Sequence, residues 1–264
     1  MFNYKSLKFL FILVTVLGVS SNTFADRKYF ARSYMAYTLP QRALEIEVWN
    51  TMRLGKTDGF YYRQQPRFEI EYGATDRLTT SLYFNFNQVT ASENQFSNKP
   101  LEFSSSAIEL RYRLTNPDEY FVDPALYFEF SYGGAEIEYE PKILLSKRTG
   151  DFVSVVNIIA EIERKIIDSE HESKFEITAG VAYEVSNNIA LGLEFRNHRN
   201  YSDIFDEEEN QASFLGPTLN IQTEELYFTI NFLKQFGGSP ATKNSLDLNG
   251  HEDYEIRTIL GITL

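Results

Sequence analysis

The sequence predicts an all-β fold, a closed antiparallel transmembrane barrel of about 12 strands, and three observations point to it. Apolar and polar residues alternate with a period of two along nearly the whole chain. Aromatic residues make up 15% of the 264 positions, yet mean hydropathy is −0.32 and 23% of residues are charged. The apolar surface therefore runs in narrow stripes and not in long oily segments. The connections between stripes alternate between short and long, with few exceptions.

Composition removes several classes of function. There is no cysteine, so disulfide scaffolds, thiolate metal sites and cysteine nucleophiles are excluded. Acidic residues number 37 against 25 basic ones, a net charge of −12, which argues against a nucleic-acid partner. Residues 1–25 read as a secretory signal peptide. Lys5 and Lys8 precede an apolar core at 9–19 that is too short to span a bilayer, and Thr23-Phe24-Ala25 closes it before Asp26. Residues 26–41 carry Tyr29, Phe30, Tyr34 and Tyr37 without clean alternation. They read either as a plug folded into the barrel or as a loose periplasmic tail, the latter in keeping with the usual fraying of termini.

Residues 42–264 divide into twelve alternating segments. In the first, Leu44, Ile46, Val48, Met52 and Leu54 share one face, and Glu45, Glu47, Trp49, Thr51 and Arg53 the other. Phe68, Ile70 and Tyr72 then oppose Arg63, Arg67, Glu69 and Glu71. Leu82, Phe84 and Phe86 oppose Ser81, Tyr83 and Asn85. Ile108, Leu110 and Tyr112 oppose Glu109, Arg111 and Arg113. Leu126, Phe128 and Phe130 oppose Tyr127 and Glu129, and the next segment sets Ile137, Tyr139 and Ile143 against Glu136, Glu138, Glu140 and Lys142. The seventh, 152–164, is apolar on both faces and resists phasing. Beyond it, Ile177, Val181 and Tyr183 oppose Glu176 and Thr178, and Leu191, Leu193 and Phe195 oppose Glu194, Arg196 and His198. The last three segments place Leu219, Phe228 and Leu260 on the apolar face, with Asn220, Asn231 and Arg257 opposite.

Short connections are expected at 73–77, 147–151, 186–188 and 222–225, with 115–123 on the same side. Longer loops are expected at 91–103, 166–173, 197–211 and 237–251. Gly133-Gly134 suits a two-residue turn, because both glycines tolerate positive φ. Both faces of such a sheet must be satisfied. A closed barrel with lipid outside and water inside does this and leaves no open edge. An even strand number puts both termini on the side of the short turns, the periplasm, once a signal peptide has carried the chain across the inner membrane. Phe60, Tyr62, Tyr72, Tyr132, Phe236 and Tyr254 sit where interfacial girdles would lie.

The final run, Tyr254 to Leu264, resembles the C-terminal strand signal of outer-membrane proteins, though it ends in Leu264 where that signal usually ends in Phe or Tyr. The resemblance implies the barrel-assembly machinery as a partner, with location in the cell outer membrane of a Gram-negative-type cell among outer-membrane lipids and lipopolysaccharide. The strand rhythm, and openings such as Gln41-Arg-Ala-Leu-Glu-Ile-Glu-Val-Trp49, also resemble small outer-membrane barrels of the putative-transporter type, including the family named for the phenol-degradation meta pathway. That resemblance implies passage of small solutes. No cofactor and no dedicated metal site is expected.

The phasing makes Glu47, Arg63, Arg67, Glu69, Glu109, Arg111, Arg113, Glu129, Glu136, Glu138, Glu140, Glu194, Arg196 and Arg257 candidate lumen-lining residues. They suit either a charged pore or a salt-bridged interior that fills the barrel. A first hairpin centred on Thr57 would set Glu47 across from Arg67, and a turn at Gly133-Gly134 would set Glu129 opposite Glu138. Small residues at Gly180, Ala182, Ala190 and Gly192 would leave room for a plug or a ligand.

One stretch invites a catalytic reading, Asn197-His198-Arg-Asn-Tyr-Ser202. Outer-membrane phospholipases resemble the chain in architecture and use Asn, His and Ser, but their His and Ser lie two apart on the lipid-facing side. Here the spacing is four and His198 continues the inward phase, so it reads as a loop-base histidine, with His171 and His251 as solvated loop residues. The run Asp203, Asp206, Glu207, Glu208 and Glu209 reads as a solvated acidic loop, since it lacks the spaced ligands and glycine of a calcium site.

Overall fold

A computed structural model describes residues 28–57, 59–92 and 98–264, and the signal peptide read at 1–25 lies outside the described residues. Twelve strands follow in order: β1 Leu44–Leu54, β2 Tyr61–Thr75, β3 Leu78–Ala91, β4 Lys99–Arg113, β5 Asp123–Tyr132, β6 Glu136–Thr149, β7 Phe152–Lys165, β8 His171–Ser186, β9 Ile189–Ser202, β10 Glu207–Gln222, β11 Leu226–Ser239 and β12 Tyr254–Thr263. Each pairs antiparallel with the next, and β12 returns to β1, so the sheet has no edge. The seam runs from Glu45 opposite Thr263 to Leu54 opposite Tyr254.

The faces are inverted relative to a water-soluble protein. Leu193 is 51% exposed and its neighbour Glu194 is 0% exposed. Val48, Leu82, Phe128 and Leu260 likewise point outward, while Glu45, Glu109 and Arg111 are buried inside. Such an apolar exterior is satisfied by lipid, and the strands, at 10 to 16 residues, are long enough to cross it. Phe60, Tyr72, Tyr132 and Phe236 are exposed near strand ends, as interfacial aromatics require.

Phase and strand number follow the sequence pattern, but two registers and several boundaries do not. Glu47 faces Glu69, and Arg67 faces Trp49, because the first hairpin loop is longer than a turn centred on Thr57 allows. In the second case the turn is centred one residue later. Gly133 N donates to Glu136 O at 3.0 Å, and only Gly134 takes positive φ, at 80°. Moving the centre by one residue moves the register by two, so Glu129 faces Glu140, and Glu138 faces Ser131 on one side and Glu163 on the other. The expected loop at 197–211 is mostly strand. β9 continues to Ser202 and β10 begins at Glu207, because polar residues keep pairing beyond the apolar belt.

Residues 28–40 do not form a frayed tail. They enter the barrel from the end that carries the short turns, rise to about Arg32 and return to the same end. Lys28 lies beside Glu71 and Leu39 N donates to Thr79 Oγ1 at 2.8 Å, both near the turn end. This insertion accounts for the strand that resists phasing. Val153, Asn157 and Ile159 of β7 face inward, and Val153 and Val155 pack on Tyr29, Phe30 and Met35 together with Ala182 and Ala190. The inner surface of β7 is apolar because a folded segment, and not solvent, covers it.

Candidate functional site

The lumen has two parts with different chemistry. In the half near the turns, lumen side chains hold the inserted segment. The Glu194 carboxylate accepts three backbone N–H groups, from Ala31 at 3.2 Å and from Arg32 and Ser33 at 2.9 Å, and a fourth bond from Asn231 Nδ2 at 2.7 Å. A carboxylate needs such donors when water is excluded. Asn157 clasps Tyr34 from both sides, accepting from its N at 2.7 Å and donating to its O at 2.9 Å. Lys28 places its ammonium between Glu47 and Glu71, the latter at 2.8 Å. Arg111 reaches Glu109 at 2.7 Å and Glu71 at 3.5 Å. Trp49 Nε1 donates to Glu47 at 2.5 Å.

Four of the sequence candidates, Glu47, Glu109, Arg111 and Glu194, thus belong to this buried framework, and Glu69 is buried beside Glu47 in the same half. Arg113 lies at the turn end, where its guanidinium donates to Asp76 O at 2.9 Å. The segment they surround carries its own aromatics. Tyr34 meets Trp49 and Tyr127 at ring-centroid distances of 6.1 and 5.3 Å.

The half near the loops encloses a cavity of about 490 Å³, floored by Arg32 and Tyr34. Arg63, Arg67, Glu129, Glu136, Glu138, Glu140, Arg196 and Arg257 line it. Its charges are sorted by strand. On β12, β1 and β2 stand Arg257, Arg53, Arg63 and Arg67. On β5, β6 and β7 stand Glu129, Glu136, Glu138, Glu140, Glu161 and Glu163, with Lys142 near the floor. Between the walls, β8 and β9 supply Lys174, Glu176, Arg196 and His198.

Some of these charges are matched locally. Lys174 pairs with Glu161 and with Glu163 at 3.4 Å. Lys142 pairs with Glu140 at 2.7 Å and lies 3.9 Å over the Tyr127 ring. Arg196 donates through Nε to Glu176 at 2.7 Å and reaches Glu255 at 3.0 Å. Arg53 stands 3.4 Å from Glu252. Among the described residues, two acidic triplets come close enough to share an ion, Glu45, Glu47 and Glu71 and, in the cavity, Glu138, Glu161 and Glu163. A lysine ammonium pairs with members of each, Lys28 in the first and Lys174 in the second.

His198 lies within β9 and not at a loop base. Its Nδ1 is 2.8 Å from Glu176 and its Nε2 is 2.9 Å from Asn200 Oδ1. Ser202 is four residues along the same strand, about 13 Å away at strand rise, and its Oγ donates to Glu207 O at 3.4 Å. The two do not form a hydrogen-bonded nucleophile and base. His251 is not a solvated loop residue. It is 3% exposed and packs edge-on against His198 at 5.3 Å. Burial, then the positive neighbours His198 and Arg196, push its pKa down to about 2. Of the acidic run at the other loop, Asp203 and Asp206 lie in the turn and Glu207, Glu208 and Glu209 open β10, all exposed. The sequence reading missed Glu161, Glu163 and Lys174. Glu161, Ile162 and Glu163 alternate, but within the strand whose phase was obscured.

The model of a family of unknown function, DUF6662, matches residues 22–264, and the chain belongs to that family. No curated protein matches it significantly. Among solved structures it is similar to the COG4313 outer membrane channel from Pseudomonas putida F1, with a TM-score of 0.65 and 12% identity over 87% of this chain and 98% of that one. It is also similar to the NanC porin, with a TM-score of 0.53 and 14% identity over 83% and 98%, and to the KdgM porin, with 0.51 and 12% over 83% and 97%. At these identities the likeness shows a shared outer-membrane barrel fold.

Proposed function

We propose that this member of the DUF6662 family is an outer-membrane channel that passes small polar solutes through a charged lumen. The observation that carries the reading is the cavity of about 490 Å³, lined by charged side chains inside a closed barrel with an apolar exterior. Likeness in fold to the COG4313 channel and two porins supports it. So does the resemblance of the strand rhythm to the barrels named for the phenol-degradation meta pathway. The inserted segment is then the constriction of the path on the periplasmic side. Outer-membrane lipid and lipopolysaccharide against the belt, and the barrel-assembly machinery acting on the last strand, are the partners of this reading.

Single-channel recording of the refolded full chain in planar bilayers tests it. A small conductance is expected, and it should grow in a Phe30→Ala, Arg32→Ala variant, in which the segment is seated less firmly. Changing Glu129, Glu136, Glu138 and Glu140 to Gln should shift ion preference towards anions. If neither protein conducts while both change gel mobility on boiling, the channel reading fails. That outcome favours a closed structural barrel, a reading supported by the hydrogen bonds that tie residues 31–36 to the lumen.

A further inference from the structure

The cavity at the loop end holds charge that its own side chains leave unmatched. Arg63 donates its Nε to Asn87 Oδ1 at 2.7 Å, and Arg257 donates its Nε to Thr51 Oγ1 at 2.8 Å. Neither makes an ion pair among the described residues. Arg67 of the same wall reaches a carboxylate only at 3.7 Å, and Arg53 is the one matched there, by Glu252 and Glu255. On the other wall Glu136 and Glu138 likewise make no ion pair among the described residues, and the two glutamates beside them share the single ammonium of Lys174. The result is an excess of guanidinium on β12, β1 and β2 and an excess of carboxylate on β6 and β7.

We infer that this cavity binds a linear zwitterion of short-peptide size, with its carboxylate on the arginine wall and its ammonium on the glutamate wall. This rests on the reading of the cavity as the entrance to a solute path. A simple anion is drawn to one wall and repelled by the other, and a simple cation meets the reverse. A molecule with opposite charges at its two ends satisfies both walls at once. Arginine presents a planar fork matched to a carboxylate, which favours a carboxylate-terminated ligand on that side. The volume exceeds what one free amino acid fills and lies in the roughly 300–1,000 Å³ range of pockets that enclose small-molecule ligands. Trp49 and Tyr34 also line the cavity and offer apolar surface to the middle of such a ligand.

The chain has one tryptophan, Trp49, so its fluorescence reports on the floor of this cavity and on the inserted segment packed against it. The test titrates the folded full chain in detergent with trialanine, with its N-acetyl form, an anion, and with its C-terminal amide, a cation. Trialanine should bind roughly tenfold tighter than either capped form, as one extra charge-assisted contact predicts. Arg63→Gln with Arg257→Gln should weaken trialanine and the acetyl peptide while sparing the amide. Glu138→Gln with Glu161→Gln should weaken trialanine and the amide while sparing the acetyl peptide. The comparison of the three peptides on the unmodified chain requires no variant to fold. Equal binding of all three, an amide as tight as trialanine, or no response at Trp49 would overturn the inference. Conductance is read separately. A conducting chain without zwitterion preference loses only this inference, and zwitterion binding without conductance loses only the channel.

Discussion

Phe30 lies against Gly180 so closely that a Cβ on the glycine would stand 2.5 Å from the ring's Cε1. The missing side chain on β8 is what admits the inserted segment at that level. Replacing Gly180 by Leu should displace Phe30 while leaving barrel closure intact, since neither of its ladder partners, Val155 and Glu194, needs to move. The expected outcome is a heat-modifiable barrel with raised conductance. A variant that conducts like the parent would show that Phe30 does not narrow the path.

Glu194 offers a second way to loosen the same segment. Glu194→Ala removes the acceptor of three backbone N–H groups and of Asn231. Each hydrogen bond to a charged group contributes about 1.5–3 kcal/mol, so docking should weaken by several kcal/mol. Protease added to the detergent-solubilised protein should then cut within residues 28–40, and the parent should resist. Equal resistance of both would mean that the apolar contacts of Tyr29, Phe30 and Met35 suffice.

Facing can be tested by charge. Leu193→Arg or Phe128→Arg puts a cation on the lipid side and should destabilise the barrel by about 2–4 kcal/mol near the bilayer midplane. Ser131→Arg points into the cavity beside Glu129 and should assemble normally. Refolding yields in lipid vesicles measure the difference, and similar losses on both faces would contradict the phase.

His251 gives the loop between β11 and β12 a dependence on pH. Its pKa is held at about 2, far below the ordinary 6.5, so the unfolded loop takes up a proton that the folded loop refuses. Its contribution to stability is present above about pH 6.5 and lost as pH falls towards 2. Hydrogen exchange of residues 240–253, corrected for the intrinsic rate, should quicken between pH 7.5 and 5. His251→Gln should flatten that change. Unaltered exchange would show that the loop is held by other contacts, such as Gln235 to Asp247 O at 3.0 Å.

The barrel was legible because its physics is periodic. Lipid and lumen demand opposite side chains at every second position, and eleven of twelve segments state that demand openly. What period two does not encode is where a turn is centred, so Glu47 and Glu129 received the wrong partners while keeping the right face. Nor does it encode what an aperiodic segment will cover. Val153 and Val155 cannot be assigned a face until residues 29–35 are placed over them. The candidate site was legible only in part for the same reason. Glu47, Glu69, Glu109 and Glu194 share the inward phase with Glu129 and Glu138, and only the depth of the inserted segment separates framework from cavity. His251 lay beyond any periodic signal, in a loop that folds back over the barrel mouth.

Both ends of the described insertion, Lys28 and Pro40, lie near the turn end of the barrel, and its second arm runs directly into β1, one half of the seam with β12. A hairpin-like insertion of this kind threads no ring. The described insertion can be laid down before the seam closes, or seated afterwards, without any strand pair opening. A pull on the chain from the turn side would act on side-chain contacts one after another and not on the hydrogen-bonded ladder. The wall and its occupant are thus mechanically separable although one continuous chain builds both.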